Sequence, residues 1–312
     1  MHRQLFRIPR LALPWLACIC TVATATTLEM RPAQERCGAP AAALRTAPPA
    51  AATRIPDSHA VSGGRNIAWV WLGSPTNRYS HDALGSSVHA ASLHAIVVQP
   101  DGSQRALSLE LPPNRVFEDR LPRLADLDGD GRDEIILVES DLRLGASLVV
   151  YGLRLGAAAR QPVLAQLARS PFIGTPQRWL NPAGVADFAN DGRPDIAAVT
   201  TPHLGGVLTL YRYQPPVLEP GARMQGLTNH RIGSAEQQLT AIVNFPGQRP
   251  ALIVPGVSLR NLRVVRLGSG GEWKDQLAPL SLPAPVQSIT PIAGGACVLL
   301  TNAVTLQLTL RD

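Results

Sequence analysis

The sequence predicts an all-β fold, a β-propeller, and three observations lead there. Short apolar, β-branched runs follow one another from Asn66 to Asp312, with Gly- and Pro-containing turns between them and no long amphipathic helical period. An acidic turn between two such runs, Asp126–Glu134, recurs 61 residues downstream as Asp187–Asp195, and self-similarity at a fixed spacing marks a repeat architecture. The last run alternates, with Val304, Leu306, Leu308 and Leu310 on one side and Thr305, Gln307 and Thr309 on the other. That is a strand with one buried face, as an outer position of a propeller unit requires.

In chain order, the first segment has the physics of a secretory signal. Arg3, Arg7 and Arg10 precede an apolar stretch from Leu11 to about Val22, and Ala23-Thr24-Ala25 is a small-x-small cleavage box. Residues 1–25 are therefore expected to be removed after Ala25. The mature chain is expected to be secreted or periplasmic, with no integral membrane span. An uncleaved anchor is one alternative. A lipoprotein through Cys18 is another, although Trp15-Leu16-Ala17-Cys18 is a poor processing box. Residues 26–60, rich in Ala, Pro, Thr and Arg, read as a disordered leader. Residues 61–312 are expected to form one propeller domain. At roughly 50–60 residues per unit this gives five blades, within a range of four to seven. The fifth would use Val286–Ile292, Cys297–Thr301 and Val304–Leu310, closed by a strand from residues near 66–72.

The turn Asp126-Leu127-Asp128-Gly129-Asp130-Gly131-Arg132-Asp133-Glu134 places acids at positions 1, 3, 5 and 9 and glycines at 4 and 6. Calcium is a hard cation that takes six to eight oxygen ligands. Alternating acids in a tight turn point several carboxylates into one space, where they repel unless a cation joins them. The expected donors are the side chains of Asp126, Asp128 and Asp130, the carbonyl of Arg132 and the Glu134 carboxylate, with Asp133 facing solvent. A helix–loop–helix hand is excluded. Position 12 is Leu137 rather than a glutamate, and Ile135-Ile136-Leu137-Val138 reads as a buried strand. The second turn keeps Asp187, Asp191, Arg193 and Asp195, but position 3 is Ala189. It is expected to be a weaker calcium site. A third copy, Ala241–Val254, keeps Arg249-Pro250 and the following apolar strand without the aspartates, and is not counted as a site.

These two turns and their flanking strands resemble the FG-GAP/VCBS repeat proteins, the class that includes the integrin α-chain propeller. The resemblance covers residues 118–215 and fades toward the C-terminus. It implies a propeller whose calcium ions brace hairpins inside blades. It does not by itself imply an enzyme.

Composition narrows the partners. The formal net charge is +6, and removal of residues 1–25 takes away three arginines and no acid, leaving +3. Ten acids lie between Glu110 and Asp141. No basic stripe with interleaved aromatics appears, so nucleic acid is not an expected partner; a protein or glycan ligand is. Cys37 and Cys297 remain after cleavage, and in an oxidising compartment they are candidates for a bridge; a buried Cys297 thiol is the competing reading.

No catalytic constellation stands out. The histidines show no metal-ligand spacing, there is no Gly-x-Ser-x-Gly elbow, and Gly268-Ser269-Gly270-Gly271 lacks the lysine of a phosphate loop. Glu118-Asp119 reads as a surface turn. Two polar-aromatic segments, Pro75–Asp82 and Trp179–Pro182 with Thr228–Arg231 one repeat later, fall between strands, where a propeller rim binds ligands. The expected function is a binding or scaffold module with structural calcium. The alternative is a propeller enzyme acting on envelope or extracellular polymers, such as a polysaccharide lyase or phosphodiesterase.

Overall fold

The computed structural model describes residues 27–33, 54–156 and 161–311. The described residues are all-β, with no helix among them. Strand β1 (Thr27–Pro32) comes first. Five antiparallel groups then follow, four of them complete four-stranded meanders. The first is β2 (Val61–Ser62), β3 (Ile67–Thr76), β4 (His89–Val98) and β5 (Gln104–Glu110); β6 (Arg115–Phe117) links it to the next. The second is β7 (Arg123–Ala125), β8 (Glu134–Asp141), β9 (Gly145–Leu155) and β10 (Pro162–Arg169). The third is β11 (Leu180–Ala186), β12 (Asp195–Thr200), β13 (Val207–Gln214) and β14 (Val217–Gln225). The fourth is β15 (Ala241–Val243), β16 (Ala251–Pro255), β17 (Asn261–Leu267) and β18 (Trp273–Asp275), with β19 (Leu280–Ser281) also on β17. The fifth is β20 (Val286–Ile292), β21 (Gly295–Leu300) and β22 (Thr305–Arg311), and β1 completes it as a fourth strand.

Register exposes the repeat. Leu124 pairs with Ile135 and Ile135 with Tyr151; Val185 pairs with Ile196 and Ile196 with Tyr211; Ile242 pairs with Leu252 and Leu252 with Val265. Four apolar clusters join consecutive groups face to face. Strand β8 shows how: Ile135 and Leu137 enter the cluster shared with the first group, and Ile136 and Val138 enter the one shared with the third. Side chains alternate along a strand, so the stretch Ile135–Val138, packed on clusters at both faces, is apolar at every position. The third and fourth groups meet through Phe188, Val199 and Trp273, and the fourth and fifth through Ile253, Val264 and Val298.

Two expectations need correction. Residues 26–60 are not simply a leader. Thr27–Pro32 pairs along the whole of β22, from Thr27 opposite Arg311 to Pro32 opposite Leu306. Ile55 and Ala60 are buried, and Arg54 bridges to Gly73. The strand that completes the fifth group is therefore β1, not the run near residues 66–72, which is β3 inside the first group. An unpaired β22 would expose a long apolar edge, and β1 covers it. The signal segment, residues 34–53 and Cys37 lie outside the described residues; Cys297 is disulfide-bonded. Among the described residues no helix is long and apolar enough to cross a membrane.

Candidate functional site

In an antiparallel meander successive turns fall at opposite ends. The acidic turns β7–β8 and β11–β12 lie at one end. The turns β3–β4, β8–β9 and β12–β13, and the crossovers from one group to the next, lie at the other.

At the acidic end, Asp126, Asp128 and Asp130 each offer a carboxylate oxygen, and these oxygens lie within 4.8 Å of one another. The turn shapes itself around its first residue. Asp126 Oδ1 accepts from the Gly129 amide at 2.7 Å and Oδ2 from the Gly131 amide at 3.0 Å. Gly129 (φ 78°) and Gly131 (φ 84°) occupy left-handed backbone that other residues rarely adopt. Arg132 sits on Asp130, donating its amide to Oδ1 at 2.8 Å and Nε–H to Oδ2 at 3.0 Å. Glu134 is buried and accepts the Leu127 amide at 2.8 Å. Burial, with Asp128, Asp130 and Asp126 close by, pushes its carboxyl up to about 7, although the Leu127 hydrogen bond pulls the other way. Asp133 does not face solvent as expected: Arg65 bridges it and Asp126 at 3.1 Å each, and Asn66 Oδ1 accepts its amide at 2.6 Å. Asn66, Asp128, Asp130, Glu134, Arg154 and Tyr213 border a cavity of about 250 Å³ beside the turn.

The donor set suits a hard divalent cation. All three convergent groups are carboxylates, Arg65 pairs with Asp126 and Arg132 with Asp130, and the buried Glu134 beside them accepts only an amide hydrogen bond.

The second turn keeps the scaffold. Asp187 accepts the Asp191 amide at 2.9 Å and the Gly192 amide at 2.7 Å, and Arg193 donates its amide to Asp191 at 3.2 Å. Its acids do not form a convergent group. Arg212 lies on Asp191 at 3.0 Å and on Asp195 at 3.2 Å. Asp195 is fully buried, and burial raises its carboxyl while Arg212 opposes that rise. Ala189 packs beside the cluster shared with the fourth group, and its carbonyl accepts from Arg249 Nε at 3.1 Å. Register supplies the counterpart of Arg212. Tyr211 faces Ile196 as Tyr151 faces Ile135, so the residue that follows Tyr151, Gly152, stands where Arg212 stands. Spacing along one strand could not reveal this, because the pairing partner lies 17 residues away in the chain.

The other end carries groups that the sequence had scattered. Glu118 and Asp119 are fully buried, not a surface turn. Glu118 accepts from Ser140 Oγ and bonds His81 Nδ1. Burial raises the Glu118 carboxyl, even against His81. On His81 burial opposes the charge, but the Glu118 carboxylate outweighs it and lifts the imidazole. Asp119 accepts Arg123 at 2.8 Å and the Val138 amide at 3.0 Å. Trp179 donates Nε1–H to the Glu118 carbonyl at 2.9 Å and stacks on His203.

A short relay follows from hydrogen-bond chemistry. The Ser234 carbonyl only accepts, so His230 Nε2 carries the proton and its Nδ1 a lone pair. His203 then donates Nε2–H to His230 Nδ1 at 2.8 Å, which leaves the lone pair of His203 on Nδ1. Burial holds both rings neutral, with each pKa lowered to about 4. His89 is likewise lowered to about 4 by burial and donates Nε2–H to the His81 carbonyl at 2.9 Å. The polar-aromatic segments lie at this end: the amide of Gln177, two residues before Trp179, donates to Tyr79 Oη at 2.7 Å, and Asn181 and Asn229 exchange side-chain-to-backbone bonds at 3.2 and 2.9 Å.

No family model matches the chain, and no curated protein matches it. Among solved structures, a phosphatase candidate from Bacteroides thetaiotaomicron aligns with 78% of this chain at 11% identity and a TM-score of 0.36. The chain spans 57% of that protein's length. BBS1N, crystallised in complex with ARL6DN and soaked with lead, aligns with 81% of this chain and 98% of its own at 10% identity and a TM-score of 0.29. At these values neither likeness carries an argument about this chain.

Proposed function

We propose that this chain is an exported, five-bladed β-propeller of the FG-GAP/VCBS type that works as a binding or scaffold module, braced by calcium in the first acidic turn. The convergence of Asp126, Asp128 and Asp130 within 4.8 Å carries the metal reading. The ion neutralises the turn, fixes the β7–β8 hairpin and adds its binding free energy to folding. Two further observations support a ring. Each of the five antiparallel groups has four strands in meander order once β1 joins the fifth, the short β19 being an addition to the fourth. A cavity of about 380 Å³ is bordered by residues of β7, β11 and β15 and by Pro291 of β20, where a propeller axis would run. The disulfide at Cys297 supports an oxidising compartment. The second turn holds an arginine in place of an ion, which reduces the calcium sites from two to one.

Melting with and without a chelator tests this. At calcium about a hundredfold above its dissociation constant the ion adds about 2.7 kcal/mol, so chelation lowers the melting temperature by about 5–10 °C in a domain of this size. Asp128→Ala abolishes that response and Asp191→Ala leaves it intact. Equal responses from the two variants contradict the assignment.

One observation favours the enzyme alternative. His81, backed by the buried Glu118, reaches the surface near the neutral His203, an arrangement suited to proton transfer. Turnover of an anionic envelope polymer that His81→Gln abolishes at a temperature where the variant is still folded would establish it. Inactivity of the wild-type protein on such polymers leaves the binding module.

A further inference from the structure

The end that carries the histidines also carries four exposed aliphatic side chains on four different turns. Leu144 (43% exposed) lies in the β8–β9 turn, Leu204 (62%) in the β12–β13 turn and Val257 (52%) in the β16–β17 turn. These are the same turn in three successive groups. Ile232 (66%) lies in the β14–β15 crossover at the same end. Exposed apolar residues are common when scattered singly, but here the position repeats.

The turns form one bonded surface. The Gly174 amide donates to the Leu144 carbonyl at 2.8 Å, and the Ala146 amide to Arg178 at 2.9 Å. Gln177 reaches Tyr79 at 2.7 Å, and the Gly233 amide reaches Ala83 at 2.8 Å. The Gly226 amide donates to Gly206 at 2.9 Å and the Val257 amide to Gly226 at 3.2 Å. The four tips therefore stand on a braced platform.

Each tip has a cationic or titratable neighbour: Arg143 beside Leu144, His203 beside Leu204, Arg231 beside Ile232, and Arg260 three residues after Val257. Arg143, Arg231 and Arg260 are exposed, and no acid pairs with them among the described residues. The exposed acids at this end, Asp57, Asp82, Glu110 and Glu236, adjoin none of the four tips in sequence.

We propose that this end docks on an anionic lipid bilayer. A protein partner would be expected to meet a contiguous apolar patch fitted to a pocket. Separate aliphatic tips on separate turns instead suit a deformable apolar phase that accepts each one on its own. The arginines beside them suit the negatively charged headgroup layer, with their stems extending along the tips. Binding combines buried apolar area with attraction to anionic headgroups, so it depends on both lipid charge and salt.

Flotation of the purified protein with vesicles tests the proposal. Vesicles of phosphatidylcholine containing about one-third phosphatidylglycerol are expected to carry the protein at least about tenfold better than phosphatidylcholine alone. The combined variant Leu144→Ser, Leu204→Ser, Ile232→Ser, Val257→Ser is expected to lower partitioning at least about a hundredfold with an unchanged melting temperature, because all four side chains are already exposed. Ile232→Asp alone is expected to lower it about tenfold. Arg143→Glu with Arg231→Glu is expected to lower it about tenfold and to flatten its salt dependence. No flotation with either vesicle, unchanged flotation of the serine variant, or a soluble protein bound through these tips in place of vesicles would each overturn the proposal.

Discussion

The two aspartate turns share a backbone plan and a charge problem, and they answer it differently. Both start from an aspartate that collects amides of the following residues, and both end on a buried acid that opens a central strand. In the second turn Arg212 reaches across from β13 and ion-pairs with Asp191 and Asp195. In the first, the residue at that register is Gly152, and its ideal Cβ would stand 2.5 Å from Leu167 Cδ1. Among the described residues the first turn therefore keeps three convergent carboxylates with no ion pair from β9; Arg65 pairs with Asp126 and Arg132 with Asp130 instead. A turn of convergent carboxylates and a turn paired with an arginine share one scaffold, and two positions separate them: Asp128 against Ala189 within the turn, and Gly152 against Arg212 on the neighbouring strand.

Predictions follow in order of size. The largest is a control on the comparison. The histidines sit at the opposite end, so their effect on stability must be independent of calcium. His89, His203 and His230 have folded pKa values lowered to about 4 by burial. A depressed histidine pKa means that the folded state resists the proton. Stability is full above the unfolded value of about 6.5 and is lost as pH falls toward about 4. Melting temperature in chelator, where no ion sits on the acidic turn, is expected to drop across that window, and His203→Gln combined with His230→Gln is expected to shrink the drop; an undiminished drop would contradict the assignment to these histidines. Next, Arg212→Ala strips the cation from the buried Asp195. Breaking a buried pair costs about 3–5 kcal/mol, and the partial exposure of Arg212 reduces this to about 2 kcal/mol. Thermal melts should show that loss equally with and without calcium. The smallest effect sharpens the register claim. Gly152→Arg combined with Leu167→Ala, which clears the space, is expected to cut the calcium-induced rise in melting temperature to less than about half, and an undiminished rise would separate position 152 from the role of Arg212.

Much of this was legible in the sequence where chemistry is local. The acidic turns, the strands after them and the repeat all show in spacing, because a turn's ligands and a strand's alternation come from adjacent residues. Contacts between distant segments were not legible. Arg212 reads as one of many arginines until β12 and β13 pair. Glu118 reads as a turn acid until Ser140, His81 and Trp179 close over it from three other segments. Strand β1 is six residues in an Ala- and Pro-rich stretch, and only the bare edge of β22 explains why it pairs. Ala189 marks the carboxylate missing from the second turn, but nothing nearby pointed to Arg212 lying on its other acids.

The most direct test of the central claim is a calorimetric titration of the metal-free protein with calcium at neutral pH. One ion per chain, abolished by Asp128→Ala and retained in Asp191→Ala, is the predicted result. Two ions per chain, or none, would contradict it.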